Sequence, residues 1–287
     1  MTEKRAELLL AAVISARATS FVFNKLVLGQ MDTFNLLACR FLLAFVVLAV
    51  LFWKRLRALS GKTLLHGAVL GLLFFLTLTA ELTALKTTDS STVSLLENTA
   101  IILVPLLEAV LLRRLPSVVS LASAGAAVLG VALLTVQTGG FTGGVGFGLL
   151  SALLYAVAII ATDRFAHHDD PLTVGIVQVG ALGVLALAAS CCFETPHLPQ
   201  TGMAWGMVLA LAVICTGFGF TLQPVAQSHT SAERAGLFCA LSPACATLFG
   251  AALLHEKITL LGAAGIALIL SSLLLPHLMK GKNDHEV

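Results

Sequence analysis

Ten apolar runs of about twenty residues, joined by short polar connections, govern what this chain can fold into. An α-helix rises about 1.5 Å per residue, so about twenty residues cross about 30 Å of hydrocarbon. The runs fall at about 7–29, 33–53, 64–85, 91–112, 117–136, 145–164, 172–193, 203–226, 232–254 and 258–278. In lipid each must satisfy its own backbone hydrogen bonds, which favours helix. The expected fold is an all-α polytopic membrane protein with ten transmembrane helices. A soluble domain is excluded by composition, since the chain is 58% hydrophobic and 11% charged with a mean hydropathy of +0.98. No connection is long enough to hold a nucleotide-binding or ferredoxin-like module.

Lysine and arginine set the orientation. With the N-terminus inside, the inner segments gather Lys54, Arg55, Arg57, Arg113 and Arg114 among others, while the outer ones hold only Lys86 and Lys257. Both termini are therefore expected in the cytoplasm, with the chain multi-pass in the cytoplasmic (inner) membrane. Ala16-Arg17-Ala18 has the form of a signal-peptidase site after Lys4 and Arg5. The first run nevertheless reads as a retained span, because it pairs with a later one in an internal repeat.

A shift of 138 residues places Arg17 on Tyr155, Lys25 on Asp163, Asp32 on Asp170 and Arg40 on Gln178. Residues 1–139 and 140–287 thus read as two five-span repeats. Five is odd, so the second repeat enters the membrane from the opposite side. Such inverted repeats place a binding site near the midplane between the halves.

Polar residues inside the runs mark that site. From Thr87 to Pro116 one span carries Ser94, Glu97, Asn98, Ile101, Pro105 and Glu108 at helical spacing. A carboxylate there must face protein or a watery cavity. Pro105 removes a backbone bond and is expected to bend the helix, which makes it a gate candidate. Arg17 lies near the middle of the first span, with Ser20 and Asn24 on its face. It suits an anionic group, or else a buried ion pair that fixes packing. Glu97 suits an ammonium group, a proton, or neutralisation of Arg17. The candidate substrate-binding set is Arg17, Asn24, Glu97, Asn98, Tyr155 and Gln223. Glu81, read as nearer the outer surface, is a gate or coupling candidate. Arg40 and Gln178 read as capping or bracing residues at the start of their spans. Thr216, Gln223 and Gln227 share one face of the eighth span. Asp163 reads as an interfacial partner of Arg164.

Other signals read as structural. His167-His168-Asp169-Asp170 lies in a turn before a proline and reads as a solvated loop rather than a metal site. The glycines from Gly139 to Gly148 lack the Lys-Ser/Thr of a phosphate loop. The six cysteines show no ligand spacing. No metal, cofactor or catalytic residue is expected.

Cys39-Arg40-Phe41, Val104-Pro105-Leu106 and Arg113-Arg114-Leu115-Pro116 in the first half are family-like motifs. So are Asp170-Pro171-Leu172, Thr230-Ser231-Ala232-Glu233-Arg234 and His255-Glu256-Lys257 in the second. In this order the chain resembles the EamA-type transporters of the drug/metabolite transporter superfamily. The resemblance implies ten helices, two inverted repeats and movement of small metabolites, often amino acids or related solutes. Many relatives carry a Trp-Gly pair where this chain has Arg17-Ala18, and an aliphatic or small polar residue at Glu97. The expected function is a secondary transporter or facilitator, most simply an exporter, working by alternating access. A non-transporting scaffold or receptor and an integral-membrane enzyme stay open as alternatives. The expected partners are a small-molecule substrate and the lipid bilayer, with no nucleic acid and with homodimerisation left open.

Overall fold

The computed structural model describes residues 3–111, 142–229 and 241–254 continuously, with scattered positions between 113 and 133 and between 260 and 271. The described residues are mostly helical and include seven segments long and apolar enough to cross a membrane. The spans expected at 117–136 and 258–278, and the first part of that at 232–254, lie outside the continuously described residues.

In chain order the helices are α1 (Glu3–Val27), α2 (Thr33–Leu51), the short α3 (Trp53–Arg57), α4 (Gly61–Leu85), α5 (Ser90–Asn98) and α6 (Ala100–Leu111). After the break come α7 (Gly143–His168), α8 (Pro171–Phe193) and α9 (Gly202–Ala210). A π-helical segment (Leu211–Phe220), α10 (Thr221–Gln227) and α11 (Leu241–Leu254) complete the set. Side-chain caps start several of them: Ser60 accepts from the Thr63 N–H, Thr142 from Val145, Thr201 from Ala204, and Asp170 from Thr173 just ahead of Pro171. Asp32 makes no side-chain cap at α2. The first N–H groups of α2 instead meet Glu194 at the end of α8: Phe34 N donates to Oε1 at 3.0 Å and Asn35 N to Oε2 at 2.8 Å.

The burial pattern is inside-out relative to a soluble protein. Leu72, Leu76, Val184, Leu187 and Val213 are exposed, while Asn24, Arg40, Glu81, Glu97 and Gln223 are buried. Only an apolar surrounding makes that distribution favourable. α2 packs along α8, α4 lies against both α7 and α8, and α1 packs on α11 and the π segment. Small residues permit these approaches. A Cβ at Gly71 would sit 3.0 Å from the Gln178 carbonyl oxygen, and one at Gly175 would sit 2.6 Å from that of Thr221.

Two spans differ from expectation. The fourth is not one continuous helix: it breaks at Thr99 between α5 and α6, and Pro105 lies inside α6. The Thr99 hydroxyl donates to the Leu96 carbonyl at 2.6 Å, and the Thr99 N–H reaches the same oxygen at 3.1 Å. That tight turn competes with the regular helical pattern more than one and a half turns ahead of the proline, whose ring disfavours the turn directly before it. Nor does Asp89 cap α5 by its side chain; it pairs with Lys25 at 3.4 Å. The eighth span, expected as plain α-helix, contains the π segment. There a Cβ at Gly217 would sit 3.2 Å from the Ala212 carbonyl oxygen and one at Gly219 3.7 Å from that of Ile214, each five residues back. Pro224 follows one turn later and supplies no N–H to the ladder.

Candidate functional site

Six elements converge on one internal cavity, lined by Ile14, Arg17, Ser20, Glu81, Glu97, Asn98 and Tyr155, with Phe21, Leu78, Phe220 and Ser242 completing the wall. It measures about 20 Å³, room for about one water.

Arg17 enters from α1. One Nη1 donates to the Tyr155 hydroxyl at 3.0 Å and to Oε1 of Gln223 on α10. Its guanidinium carbon lies 4.2 Å from the centre of the Phe220 ring, 5.2 Å from Tyr155 and 5.9 Å from Phe74. Three ring faces thus attract the charge where water is scarce. Gly219 leaves the space for its stem: a Cβ there would sit 2.7 Å from Arg17 Cγ.

The acidic side is built from α4 and α5. Glu81 and Glu97 both line the cavity, and Ser151 on α7 donates to Glu97 Oε2 at 3.0 Å. Asn24 Nδ2 donates to Glu81 Oε1 at 3.3 Å, and Asn24 Oδ1 accepts from Arg40 Nη1 at 3.3 Å. Arg40 Nε also donates to Thr216 Oγ1 at 2.6 Å. Arg40 is fully buried and its Nη2 has no partner. One hydrogen-bonded path therefore runs Thr216–Arg40–Asn24–Glu81 and a second joins Ser151 to Glu97, each crossing between the two halves of the sequence, and both carboxylates face the same cavity.

Arg17, Glu97, Asn98, Tyr155 and Glu81 share the cavity, Gln223 joins through Arg17, and Asn24 stands behind Glu81. Asn98 also turns back on its own helix, donating to the Ser94 carbonyl at 2.7 Å. Pro105 is half-buried on α6 and does not line the cavity. Glu81, four residues before the end of α4, is 2% exposed and lines the cavity rather than forming a solvated helix end. Of the two readings of Arg40, capping or bracing, the structure shows bracing: it sits about two turns into α2 and reaches across to Asn24 and Thr216. Phe74, Phe220, Ser151 and Ser242 were not singled out from sequence. Aromatics and single serines in apolar runs carry no signal there.

A second cluster joins the two halves at the α3–α4 and α7–α8 turns. Thr63 Oγ1 donates to Asp169 Oδ1 at 2.9 Å, His66 Nδ1 contacts Asp169 Oδ2, and the His66 ring stacks on Phe165 at 4.2 Å. Arg55 pairs with Asp170 at 2.9 Å. His167, His168 and Asp170 are exposed, as expected of a solvated loop, while Asp169 is held against the first half by Thr63 and His66. The hydrogen bond from His66, supported by that from Thr63, holds the Asp169 carboxyl below its ordinary range. Asp163 pairs with His167 at 3.8 Å. Among the described residues no group of three or more His, Cys, Asp or Glu is arranged to hold a metal ion.

A model of the EamA-like transporter family matches residues 4–136 and 142–276. An uncharacterized transporter of Archaeoglobus fulgidus is 30% identical over 88% of this chain and 90% of its own length. A second from the same organism is 28% identical over 94% of each. The uncharacterized transporter YetK of Bacillus subtilis is 25% identical over 96% of this chain and 87% of its own. A protein solved by crystallography superposes with a TM-score of 0.70 at 21% identity, covering 96% of this chain and 97% of that one, a likeness of fold.

Proposed function

The chain belongs to the EamA-like transporter family of the drug/metabolite transporter superfamily, and on that premise we propose that it is a secondary transporter for a small polar metabolite. Two five-helix repeats of inverted topology, residues 1–139 and 140–287, would rock about the central cavity and open it to each side in turn. The preferred direction is export across the cytoplasmic membrane, with both termini in the cytoplasm. The solute is an amino acid or related compound, held with its carboxylate toward Arg17 and its ammonium toward Glu97. Tyr155 and Gln223 steady Arg17, and Asn24 and Asn98 complete the polar lining.

One observation carries this proposal: Arg17, Glu81 and Glu97 face one cavity inside a bundle whose outer surface is apolar. Buried charges cost several kcal/mol each in such a place, a cost without purpose in a passive scaffold. The cavity holds about one water, so solute entry requires helices to part. Among the described residues no group of three or more His, Cys, Asp or Glu is placed to hold a metal ion.

A flux screen in proteoliposomes tests the function. Amino acids and related solutes are offered with and without a pH gradient, and saturable movement of at least one is expected. No movement above protein-free liposomes for any member would overturn it. Orientation is tested by labelling Ser60→Cys in a background lacking the native cysteines, where reaction from outside the cell would reverse the assignment.

A further inference from the structure

Helices α2 and α8, one from each half of the sequence, pack side by side and antiparallel. Phe34 lies beside Phe193, Leu42 beside Gly183 and Phe45 beside Gly180. The contact is interlocked: a Cβ at Gly180 would lie 2.7 Å from the Phe45 ring, and one at Gly183 3.1 Å from the Leu42 backbone nitrogen. Side chains of α2 thus rest on the α8 backbone, the close approach that small residues permit in lipid. Both ends of the pair are pinned. Where α2 starts, the Glu194 carboxylate that follows α8 accepts from the Phe34 and Asn35 amides, and Thr201 Oγ1 donates to Gln30 Oε1 at 2.8 Å. Where α8 starts, Arg55, which follows α2, pairs with Asp170 at 2.9 Å. The two pins correspond. Arg55 and Glu194 are 139 positions apart, and Asp170 stands 138 after Asp32, the residue that precedes α2. Each pin joins the end of one helix to the start of its counterpart, with a cation at one end and a carboxylate at the other. The cavity lies elsewhere: among the described residues its lining comes from α1, α4, α5, α7, the π segment and α11, with none from α2 or α8.

We propose that the α2–α8 seam is a pivot that stays closed through the transport cycle while the helices around the cavity part. The proposal rests on the transport function above and adds which contact does not move. In an inverted repeat, the two halves exchange roles between the states open to either side. Contacts between non-equivalent spans, such as α4 on α8, are then traded for their counterparts, such as the π segment on α2. A contact between equivalent spans maps onto itself and belongs to both states. α2 and α8 are equivalent spans, and their matching pins extend the equivalence to the ends. Equivalent spans also meet at Arg17–Tyr155 and at Ser94–Ser242, the latter 3.4 Å apart, but those meetings border the cavity, where a solute has to enter. The seam lies off that path and carries the interlocked backbone.

Paired cysteines test this by locking each contact in a background lacking the native cysteines. Leu42→Cys with Gly183→Cys bridges the seam: a Cβ at 183 lies 3.1 Å from Leu42 Cγ, in reach of the about 4 Å between the Cβ atoms of a disulfide. Ser94→Cys with Ser242→Cys bridges the cavity side. Backbone hydrogen exchange of the purified protein in lipid is read by mass spectrometry before and after oxidation, with no solute present. Oxidising the seam pair should slow exchange around Glu97 and Tyr155 by less than about threefold, and oxidising the cavity pair should slow it by more, reversibly with reductant. Slowing beyond about threefold in the seam pair, none in the cavity pair, or a seam disulfide that does not form overturns the pivot. If Gly183→Cys prevents folding, as judged by gel filtration, His197→Cys with Cys39 restored takes its place, since Cys39 Sγ lies 3.9 Å from the His197 carbonyl oxygen. Flux of a radiolabelled amino-acid mixture is then measured on the same proteins. Flux lost on oxidising the seam pair and regained on reduction also overturns the pivot. No flux in any reduced protein removes the transport reading, and the exchange result still decides whether the seam stays shut.

Discussion

Arg17 donates to the hydroxyl of Tyr155 at 3.0 Å, and the two residues lie 138 positions apart. The two family-matched stretches begin at residues 4 and 142 and end at 136 and 276, offsets of 138 and 140. Corresponding positions of the two stretches therefore touch, one contributing a cation and the other a phenol. Helices α2 and α8, also related by this offset, pack together as well. In the proposed two-repeat arrangement such contacts fall at the interface between the repeats, where the solute site is proposed.

Arg17→Gln is expected to lower flux about tenfold or more, equivalent to about 1.4 kcal/mol of lost stabilisation. Combined with Glu97→Gln it separates binding from bracing. If the two side chains serve only to neutralise each other, the double variant regains much of the flux lost in either single one. Gripping a dipolar solute predicts a double variant that folds normally and stays inactive. The measurement is flux and thermal stability in detergent for all four proteins of the cycle; full flux in the double variant rejects binding.

Pro105→Ala should reduce transport rate more than it reduces the amount of folded protein. The substitution restores a donor to the α6 ladder and relaxes the pressure that keeps the Leu96–Thr99 turn tight. A straighter α5–α6 would move Glu97 relative to Glu81. Reconstituted Pro105→Ala protein with unchanged flux would show that the break does not depend on the proline.

Gly175→Ala should destabilise the protein by about 1–3 kcal/mol, because the added methyl would lie 2.6 Å from the Thr221 carbonyl oxygen, a backbone atom that cannot rotate aside. Gly206→Ala is the matched control, since nothing lies within 4 Å of its Cβ position. Thermal unfolding in detergent should separate the two; equal midpoints would mean that α8 and α10 part easily.

Acid should loosen the junction at Asp169. Its carboxyl is held below the ordinary range first by the His66 hydrogen bond. A depressed folded-state pKa contributes stability above the unfolded value of about 3.9 and loses it as pH falls through the folded value. The thermal midpoint should therefore drop as pH falls from about 5 toward about 3, and Asp169→Asn should flatten that part of the profile. An unchanged acid slope in Asp169→Asn would assign the loss to other carboxylates.

Helicity and the seven described spans are legible in the sequence because lipid demands long apolar runs. The polar groups that meet at the cavity, Arg17 and Glu97 among them, stand out for the same reason, as expensive residues in those runs. What escaped was relational. Arg40 looked like a span-end residue because its partners, Asn24 and Thr216, are 16 and 176 positions away. Phe74 and Phe220 are ordinary apolar letters until a guanidinium lies over them. The π segment leaves only Gly217, Gly219 and Pro224 as traces, each with commoner explanations. The break at Thr99 depends on which donor wins the Leu96 carbonyl, a local contest that apolar periodicity does not report.

The Glu194 carboxylate that begins α2 belongs to the other half of the sequence. A fragment ending near residue 139 would carry α2 with its leading amides bare, and one starting near 140 would carry an acid with no amides to receive it. Severing the chain midway should thus yield two pieces that are each incompletely folded yet chemically complementary. Produced together in one cell they should find one another and restore the missing start of the helix, so the two halves behave as obligate partners that happen to share a peptide bond.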